Sequence, residues 1–257
     1  MKNRINTLFE KKQENILSVY FTAGFPRLND TIPIICELEK SGADLVEIGM
    51  PFSDPTADGP VIQQSSHQAL QNGMSLELLF TQLKGIREKV SIPLILMGYI
   101  NPVIQYGVEA FCSKCGETGI DGAILPDLPL QEYEENYLPF FESANLHNIL
   151  LITPQTSDER IREIDHKSSG FIYMVSSSST TGKYQKAEGL HQEYFDRVKS
   201  LNLKNPHLIG FGISDKATFR SACRNANGAI IGTAFIIALQ KPAPLKKCIR
   251  NFIHSLT

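Results

Sequence analysis

One glutamate interrupts an apolar run in the first quarter of the chain. Glu47 follows Val46 and precedes Ile48, and strand alternation would place it on the face opposite to both. In a barrel strand its carboxyl would therefore point into the interior. Burial favours the neutral form of a carboxyl, so a glutamate held there can act as an acid or base near neutral pH. The alternative is a structural glutamate paired with an arginine or lysine.

The loop that follows this run carries two further carboxylates. Asp54 and Asp58 stand among Pro51, Pro55 and Gly59, in a stretch without strand or helix periodicity. One interpretation is a turn cluster, because aspartate and proline are common in turns for local reasons. The other is an active-site or contact loop, because binding and catalytic residues concentrate on long loops at the functional end of a barrel.

Two glycine-rich segments are typical of anion sites. They read Gly210-Phe211-Gly212-Ile213-Ser214 and Gly228-Ala229-Ile230-Ile231-Gly232-Thr233-Ala234. Glycine lets backbone N–H groups approach a ligand closely, and the helix starts that follow offer unpaired donors with a favourable dipole. Phosphate sites of barrels commonly lie in the loops after the seventh and eighth strands, where these segments fall. Tight strand-to-helix turns are the alternative interpretation.

A serine-rich segment, residues 176–182, follows the sixth predicted strand. A solvated surface loop is the default interpretation of such a composition. Its position before a helix that begins near Leu190 also suits a lid that closes over a substrate, with Gly182 as a further phosphate donor.

Short apolar runs and longer amphipathic stretches alternate from end to end, and these must position the polar residues. The predicted strands are Ser18–Thr22, Asp44–Ile48, Pro93–Gly98, Gly122–Leu125, Asn148–Thr153, Gly170–Val175, Leu208–Phe211 and Gly228–Ile231. The predicted helices include Thr31–Lys40, Leu76–Lys89, Gln131–Ser143 and Ser157–His166, with an additional short helix before Ser18. Alternating strands and helices indicate parallel strands that are buried on both faces.

Eight strands in 257 residues correspond to about 32 residues per repeat, the size of a βα unit. We therefore predict an α/β fold in which residues 1–257 form a single (β/α)8 TIM barrel domain with an extra N-terminal helix. An open doubly wound sheet is the alternative, because one sequence does not reveal strand order. Three helix-to-strand junctions, at Gly42, at Gly119 and in residues 225–228, carry residues that can end a helix in the left-handed conformation.

Composition narrows the functional classes. The 25 basic and 27 acidic side chains give a net charge of −2, which argues against nucleic acid or an anionic membrane as a partner. The first residues are too polar for a signal-peptide core, and the longest apolar stretch is shorter than the roughly 18 residues of a membrane span. We therefore expect a cytoplasmic protein.

Cys112 and Cys115 fall with Val108 and Phe111 on one helical stripe, which favours core packing over a zinc site.

Several motifs together resemble the signature of the tryptophan synthase alpha chain family. In chain order they are Phe21–Pro26, Val46–Pro55, Ala57–Pro60, Leu96–Tyr99, Asn101-Pro102, Pro126–Pro129, Thr181-Gly182 and Gly210–Ser214. The resemblance implies a (β/α)8 barrel that uses no metal and no organic cofactor. It also implies cleavage of indole-3-glycerol phosphate to indole and glyceraldehyde 3-phosphate. The implied assembly has two alpha chains flanking a dimer of pyridoxal-phosphate beta chains, which receive the indole.

The same resemblance implies roles for individual residues. Glu47 would be the general acid/base, Asp58 the carboxylate that faces the indole N–H, and Asp54 a loop residue that faces the beta chain. The positions implied to bind substrate are Tyr20, Tyr99, Tyr173, Gly182, Gly212, Gly232 and Thr233. The reaction needs a proton on indole C3, a base for the neighbouring hydroxyl and stabilisation of charge on the ring nitrogen. Two carboxylates in different environments can hold the different protonation states that this requires.

Two departures from the family pattern accompany these matches. Thr56 occupies a position that usually holds an aliphatic residue, and Ser177 and Ser179 stand where arginine and glycine are typical. The two serines motivate one alternative function, a weakly catalytic chain that mainly activates the beta chain. A different phosphate-binding barrel enzyme is a second alternative.

Overall fold

The computed structural model of this chain describes residues 2–176 and 188–256. The nine strand segments in these ranges belong to one sheet, and every pairing is parallel. They are β1 (Ile16–Thr22), β2 (Leu45–Gly49), β3 (Leu94–Met97), β4 (Gly122–Ile124), β5 (His147–Asn148), β6 (Leu150–Ile152), β7 (Ile172–Val175), β8 (His207–Gly210) and β9 (Gly228–Ile231).

One interrupted strand closes this sheet into a barrel. β5 pairs with β4, β6 pairs with β7, and only the buried Ile149 separates β5 from β6. The two segments are therefore halves of a single fifth strand, which pairs with β4 in its first half and with β7 in its second half. β1 lies between β2 and β9, so the first and last strands are paired as well. The predicted eight-unit barrel is confirmed, and the open doubly wound sheet is wrong.

Helices connect the strands and cover the outside of the barrel. They are α1 (Arg4–Lys11), α2 (Thr31–Ser41), α3 (Pro60–Gln71), α4 (Leu76–Leu83), α5 (Ile100–Tyr106), α6 (Val108–Thr118), α7 (Leu130–Glu132), α8 (Leu138–Ser143), α9 (Asp158–Lys167), α10 (Glu188–Ser200), α11 (Lys216–Cys223), α12 (Thr233–Leu239) and α13 (Leu245–Leu256). A 3-10 turn, Ile86–Glu88, follows α4, and a π turn, Tyr133–Tyr137, joins α7 to α8. Two of the predicted long helices are therefore interrupted. Within the described ranges, no helix combines the length and the apolar character needed to cross a membrane.

Alternate strand residues face the barrel interior and the surrounding helices. In β1, Leu17 and Val19 belong to the cluster that the helices share, whereas Ile16 belongs to the separate interior cluster. The same alternation puts Tyr20 inside, and its register partner on β2 is Glu47. Glu47 therefore points into the barrel, as the sequence pattern predicts.

Helix α1 closes the N-terminal end of the barrel. Its Ile5 side chain is fully buried in the interior cluster. Asn3 caps the helix and donates from Nδ2 to the carbonyl of Asp121 at 2.7 Å, and Arg4 pairs with the buried Asp121 carboxylate at 3.0 Å. This is the additional helix that the sequence predicts, and it leaves the opposite end of the barrel open for a site.

The helix ends agree with prediction at two of the three junctions. Gly42 and Gly119 adopt φ values of 102° and 75° after α2 and α6. The third expectation is wrong, because α11 ends through Arg224 in the right-handed region. There the side chain of Asn227 shapes the junction instead, since its Oδ1 accepts the N–H of His207 at 2.9 Å.

Candidate active site

Glu47 lies in a fully buried position inside the barrel. Its Oε1 accepts a hydrogen bond from the Ser18 hydroxyl at 2.8 Å, while its Oε2 has no hydrogen-bond partner in the described structure. Burial raises the pKa of Glu47 to about 8, and the Ser18 hydrogen bond opposes that rise. The carboxyl is therefore largely protonated at neutral pH, which is the state that a proton donor needs.

The Ser18 bond also determines where the Glu47 carboxyl rests. Ser18 lies two residues before Tyr20 on the same interior face of β1, and Tyr20 is the register partner of Glu47. The bond therefore draws the carboxyl toward the N-terminal end of the barrel. Consistent with this, Tyr20 lines the pocket at the opposite end, and Glu47 is not among the lining residues.

Asp58 is held in the loop after β2 by a tyrosine from the next strand end. The Tyr99 hydroxyl accepts the backbone N–H of Ala57 at 2.9 Å and donates to Asp58 Oδ2 at 3.2 Å. Burial raises the pKa of Asp58 to about 6, with the Tyr99 bond opposing the rise. The ring of Phe52 lies 5.4 Å from that of Tyr99, which adds an aromatic wall beside the carboxylate.

A pocket of about 300 Å³ opens between these residues at the C-terminal ends of the strands. Most of its lining is apolar or aromatic, with a few polar groups, which suits a flat ring system held by specific hydrogen bonds. The lining residues are Tyr20, Met50, Phe52, Pro55, Ala57, Asp58, Ser66, Met97, Gly98, Tyr99, Pro126, Leu151, Thr153, Gln155, Val175 and Phe211. Among the carboxylates predicted for the site, Asp58 therefore meets the pocket directly.

Tyr173 lies behind this lining. It is buried, and its ring packs edge-on against Phe211 at 6.3 Å. Phe211 has a φ of 71°, which is uncommon for a residue with a side chain, and Gly212 follows with a φ of 76°. The Ser176 hydroxyl stabilises this turn by donating to the carbonyl of Phe211 at 2.8 Å. The backbone conformation at position 212 therefore favours glycine, and this residue comes immediately after a pocket-lining residue.

The second glycine turn lies beside the first, because β8 and β9 are paired. Gly232 precedes α12, whose first residue is Thr233. A Cβ atom on Gly232 would lie 3.2 Å from Cδ1 of Tyr20, so this turn touches a pocket-lining ring. The structure therefore brings Gly212, Gly232 and Thr233 to the same end of the barrel, and Gly182 lies outside the described residues.

The loop between β2 and α3 also exposes residues away from the pocket. Asp54 is exposed and accepts a hydrogen bond from the Ser53 hydroxyl. Thr56 is exposed too, and its N–H donates to the Asp54 carbonyl at 2.9 Å. Asp54 is thus available at the surface, while Asp58 of the same loop turns inward.

Sequence reasoning missed three residues of the site. Ser18 begins the first predicted strand, and its place as a polar residue in a fully buried run, on the same face as Tyr20, is the signal for its role. Phe52 and Phe211 lie within the family motifs, which give neither residue a place in the pocket. Their positions at or just after the C-terminal ends of strands are the signal that could identify them.

Comparison with known proteins identifies the family. The model of the tryptophan synthase alpha chain family matches residues 7–255. A tryptophan synthase alpha chain from Flavobacterium johnsoniae is 61% identical over 254 residues, which cover 98% of this chain and 100% of the relative. This chain belongs to the tryptophan synthase alpha chain family. The alpha chain from Bacteroides fragilis is 53% identical, with coverage of 96% of this chain and 94% of that relative.

Solved structures of the tryptophan synthase alpha chain family share this fold. The alpha subunit from Legionella pneumophila superimposes with a TM-score of 0.89 at 32% identity, covering 100% of this chain and 97% of that one. A tryptophan synthase from Mycobacterium tuberculosis, in an aminoacrylate-bound form, gives a TM-score of 0.86 at 28% identity, with 99% and 98% coverage.

Membership in the tryptophan synthase alpha chain family defines the activity. The chain is a lyase of tryptophan biosynthesis that cleaves indole-3-glycerol phosphate to indole and glyceraldehyde 3-phosphate. A different phosphate-binding barrel enzyme is thereby excluded. The alternative of a weakly catalytic activator rests on Ser177 and Ser179, which lie outside the described residues.

Proposed function

We propose that Glu47 and Asp58 carry out this cleavage at the pocket that Tyr20 and Tyr99 line. The contrast between the two carboxyls supports the proposal most, because their pKa values are raised to about 8 and about 6. At neutral pH, Glu47 then holds a proton while Asp58 is largely ionised. The site therefore presents one acid and one anion to the same substrate.

These two groups meet the needs of the retro-aldol reaction. Glu47 places its proton on indole C3, and its carboxylate then accepts the proton of the hydroxyl beside the scissile bond. The electron pair of the broken carbon–carbon bond returns to the indole ring, so indole and glyceraldehyde 3-phosphate leave. The Asp58 carboxylate faces the indole N–H and stabilises the positive charge that protonation of C3 creates. Because Glu47 is fully buried, it reaches the substrate by rotating about its side-chain torsions.

The three tyrosines complete the substrate pocket in this proposal. Tyr20 and Tyr99 contact the indole ring, Tyr99 orients Asp58, and Tyr173 supports the turn at Phe211. Burial raises the pKa of Tyr20, Tyr99 and Tyr173, so each keeps its hydroxyl proton throughout the working pH range.

The pH dependence of kcat/KM for indole release tests the assignment of acid and anion. We expect the rate to rise as Asp58 ionises near pH 6 and to fall as Glu47 loses its proton near pH 8. The measurement is indole release from indole-3-glycerol phosphate at constant ionic strength. A rate that continues to rise through pH 9 would show that Glu47 does not act in its protonated form.

We further propose that the turns at Gly212 and Gly232, together with Gly182, hold the substrate phosphate. The hydrogen bonds of α12 begin with the N–H groups of Phe235 and Ile236, which donate to the Gly232 carbonyl at 2.9 and 3.0 Å. The N–H groups of Thr233 and Ala234 come before these bonds and offer donors to an anion. Both turns adjoin residues of the pocket, since Gly212 follows Phe211 and Gly232 contacts Tyr20. A phosphate bound there would place the glycerol chain toward the carboxyls.

Gly232→Ala should weaken this site. The added Cβ would crowd Tyr20 at 3.2 Å and obstruct the backbone approach, while the negative φ of −117° does not require glycine. We expect the inhibition constants of inorganic phosphate and glycerol phosphate to rise about tenfold, the loss of roughly one hydrogen bond. Gly116→Ala on α6, where a Cβ meets only ordinary contacts at 3.6 Å, is the matched control. Unchanged inhibition by both anions in Gly232→Ala would show that the substrate phosphate does not bind at this turn.

We also propose that this single-domain chain acts in the cytoplasm as part of a heterotetramer with two beta chains, to which it passes indole. Members of the family work with a beta chain, and the exposed Asp54 lies on the loop that also carries Asp58. One loop can thus report the state of the site to a partner. Sedimentation of the chain with its native beta chain tests the assembly. Asp196 is an exposed residue on α10 and provides the control. Weaker binding by Asp54→Ala, but not by Asp196→Ala, tests the contact.

A further inference from the structure

Ser18 is a buried polar residue that the reaction scheme leaves without a role. Its side chain has no exposed surface, and its hydroxyl donates to Glu47 Oε1 at 2.8 Å from the neighbouring strand, β1. Its interior neighbours on β1 are the apolar Ile16 and the aromatic Tyr20. A hydroxyl in such surroundings is retained at a desolvation cost unless it has a specific partner, and here Glu47 is that partner.

The hydrogen bond distinguishes the two oxygens of Glu47. Oε1 is occupied by the Ser18 proton, whereas Oε2 has no partner among the described residues. When the carboxyl is neutral, its own proton therefore belongs on Oε2, because Ser18 already donates to Oε1. Oε2 is then the oxygen that carries the proton to be transferred.

The strength of the Ser18 bond depends on the charge of Glu47. A hydroxyl binds a carboxylate more strongly than it binds the carbonyl oxygen of a neutral carboxyl. The ionised side chain is therefore held more firmly at its resting position below the pocket, and the protonated side chain is released more easily. The bond thus favours delivery of the acid form, which is the form that has a proton to give.

We propose that Ser18 is a positioning residue that holds the resting Glu47 carboxyl and sets the protonation state in which it is released to the substrate. This inference rests on the proposed role of Glu47 as the acid. It assigns to Ser18 a function in the reaction although the hydroxyl itself does not touch the substrate.

Other titratable groups also act on this position. Tyr20 from β1 and Tyr173 from β7 interact electrostatically with Glu47, and both interact with Asp58. The two phenols stay neutral over the working range, because burial raises their pKa values. Asp58 ionises near pH 6, so its charge is constant where Glu47 titrates. A change confined to the alkaline side therefore reports on Glu47.

Ser18→Ala tests the proposal. Removing the hydroxyl withdraws stabilisation from the ionised carboxyl and so raises its pKa. The alkaline limb of kcat/KM should therefore shift to higher pH by about one unit. At a pH one unit above the midpoint of the wild-type alkaline limb, the variant should retain about fivefold more of its neutral-pH activity than wild type does. Ser18→Thr, which keeps the hydroxyl, should restore the wild-type limb. Ser18→Cys, of similar volume but with a weak donor, is a second deletion should alanine fail to fold.

A second readout does not depend on turnover. The infrared absorption of the Glu47 carboxyl, assigned by its absence in Glu47→Gln, gives the titration midpoint of that group directly. The matched control is Ser65→Ala, because Ser65 is equally buried and its hydroxyl bonds to Thr22 at 2.6 Å, away from Glu47. It loses a buried hydrogen bond but should leave both the limb and the midpoint at their wild-type positions.

The outcomes separate the two hypotheses. An upward shift of both the midpoint and the kinetic limb in Ser18→Ala, absent from Ser18→Thr and Ser65→Ala, supports the role of Ser18. An unchanged midpoint overturns it. A shifted midpoint with an unchanged kinetic limb would instead overturn Glu47 as the acid of the reaction, while the hold of Ser18 on the carboxyl would stand.

Discussion

Glu47→Gln should nearly abolish release of indole from indole-3-glycerol phosphate. Glutamine keeps the size of the side chain and a hydrogen-bond acceptor for Ser18, but it cannot donate and recover a proton. General acid–base groups contribute about 10²–10⁴-fold to rate, so we expect kcat to fall within that range while KM changes little. Single-turnover measurement of indole release checks the chemical step directly.

The pH dependence of the free energy of unfolding, compared between wild type and Glu47→Gln, tests the raised pKa of Glu47. In wild type, the pKa of Glu47 is raised from 4.5 to about 8, so the folded chain retains a proton that the unfolded chain loses over this range. The free energy of unfolding of wild type therefore declines as pH rises through this window, and the decline is complete above pH 8. Glutamine has no proton to lose, so the variant should be the more stable protein at pH 9.

A second buried glutamate serves as the matched variant. Glu37 on α2 is 4% exposed and pairs with Arg250 at 3.1 Å on the outside of the barrel. Glu37→Gln should keep the wild-type rate while losing some stability. If Glu47→Gln retains more than about a tenth of the wild-type kcat, the proposed role of Glu47 is wrong.

Asp58→Asn should produce the next largest loss. Asparagine still accepts the hydrogen bond from Tyr99, so the loop keeps its geometry, but the negative charge that faces the indole nitrogen is gone. Loss of one preorganised electrostatic contact in an active site lowers the rate by about 10²–10³-fold. We expect kcat/KM to fall by that amount, and the acid limb near pH 6 to disappear from the profile.

Asp44→Asn is the corresponding control at the other end of β2. Asp44 accepts the N–H of Leu17 at 2.8 Å and pairs with Lys12 at 2.6 Å, far from the pocket end of the strand. The variant loses the same charge and should retain both limbs of the profile. An acid limb that persists in Asp58→Asn, with kcat/KM within tenfold of wild type, would contradict the role assigned to Asp58.

The sequence by itself determined the repeating order of the fold and the face on which Glu47 lies. Both follow from local rules, because side chains alternate strictly along a strand and because apolar runs of strand length recur at the spacing of a βα unit. The helix ends at Gly42 and Gly119 could be predicted for the same reason, because a left-handed helix end depends on the residue at that position. The family motifs added the identity of the reaction and the residues implied to perform it.

Only the tertiary structure decided how the ring closes and what each carboxyl meets. Closure depends on a fifth strand that changes neighbours at Ile149, and the short apolar run around that residue predicts only one strand. Ser18 is 29 residues from Glu47, and Tyr99 is 41 residues from Asp58. Such contacts exist only once the barrel has closed. The partners of a carboxyl set its pKa, so the protonation states on which the mechanism depends are a property of the closed barrel, whereas the presence of the carboxyls is a property of the sequence.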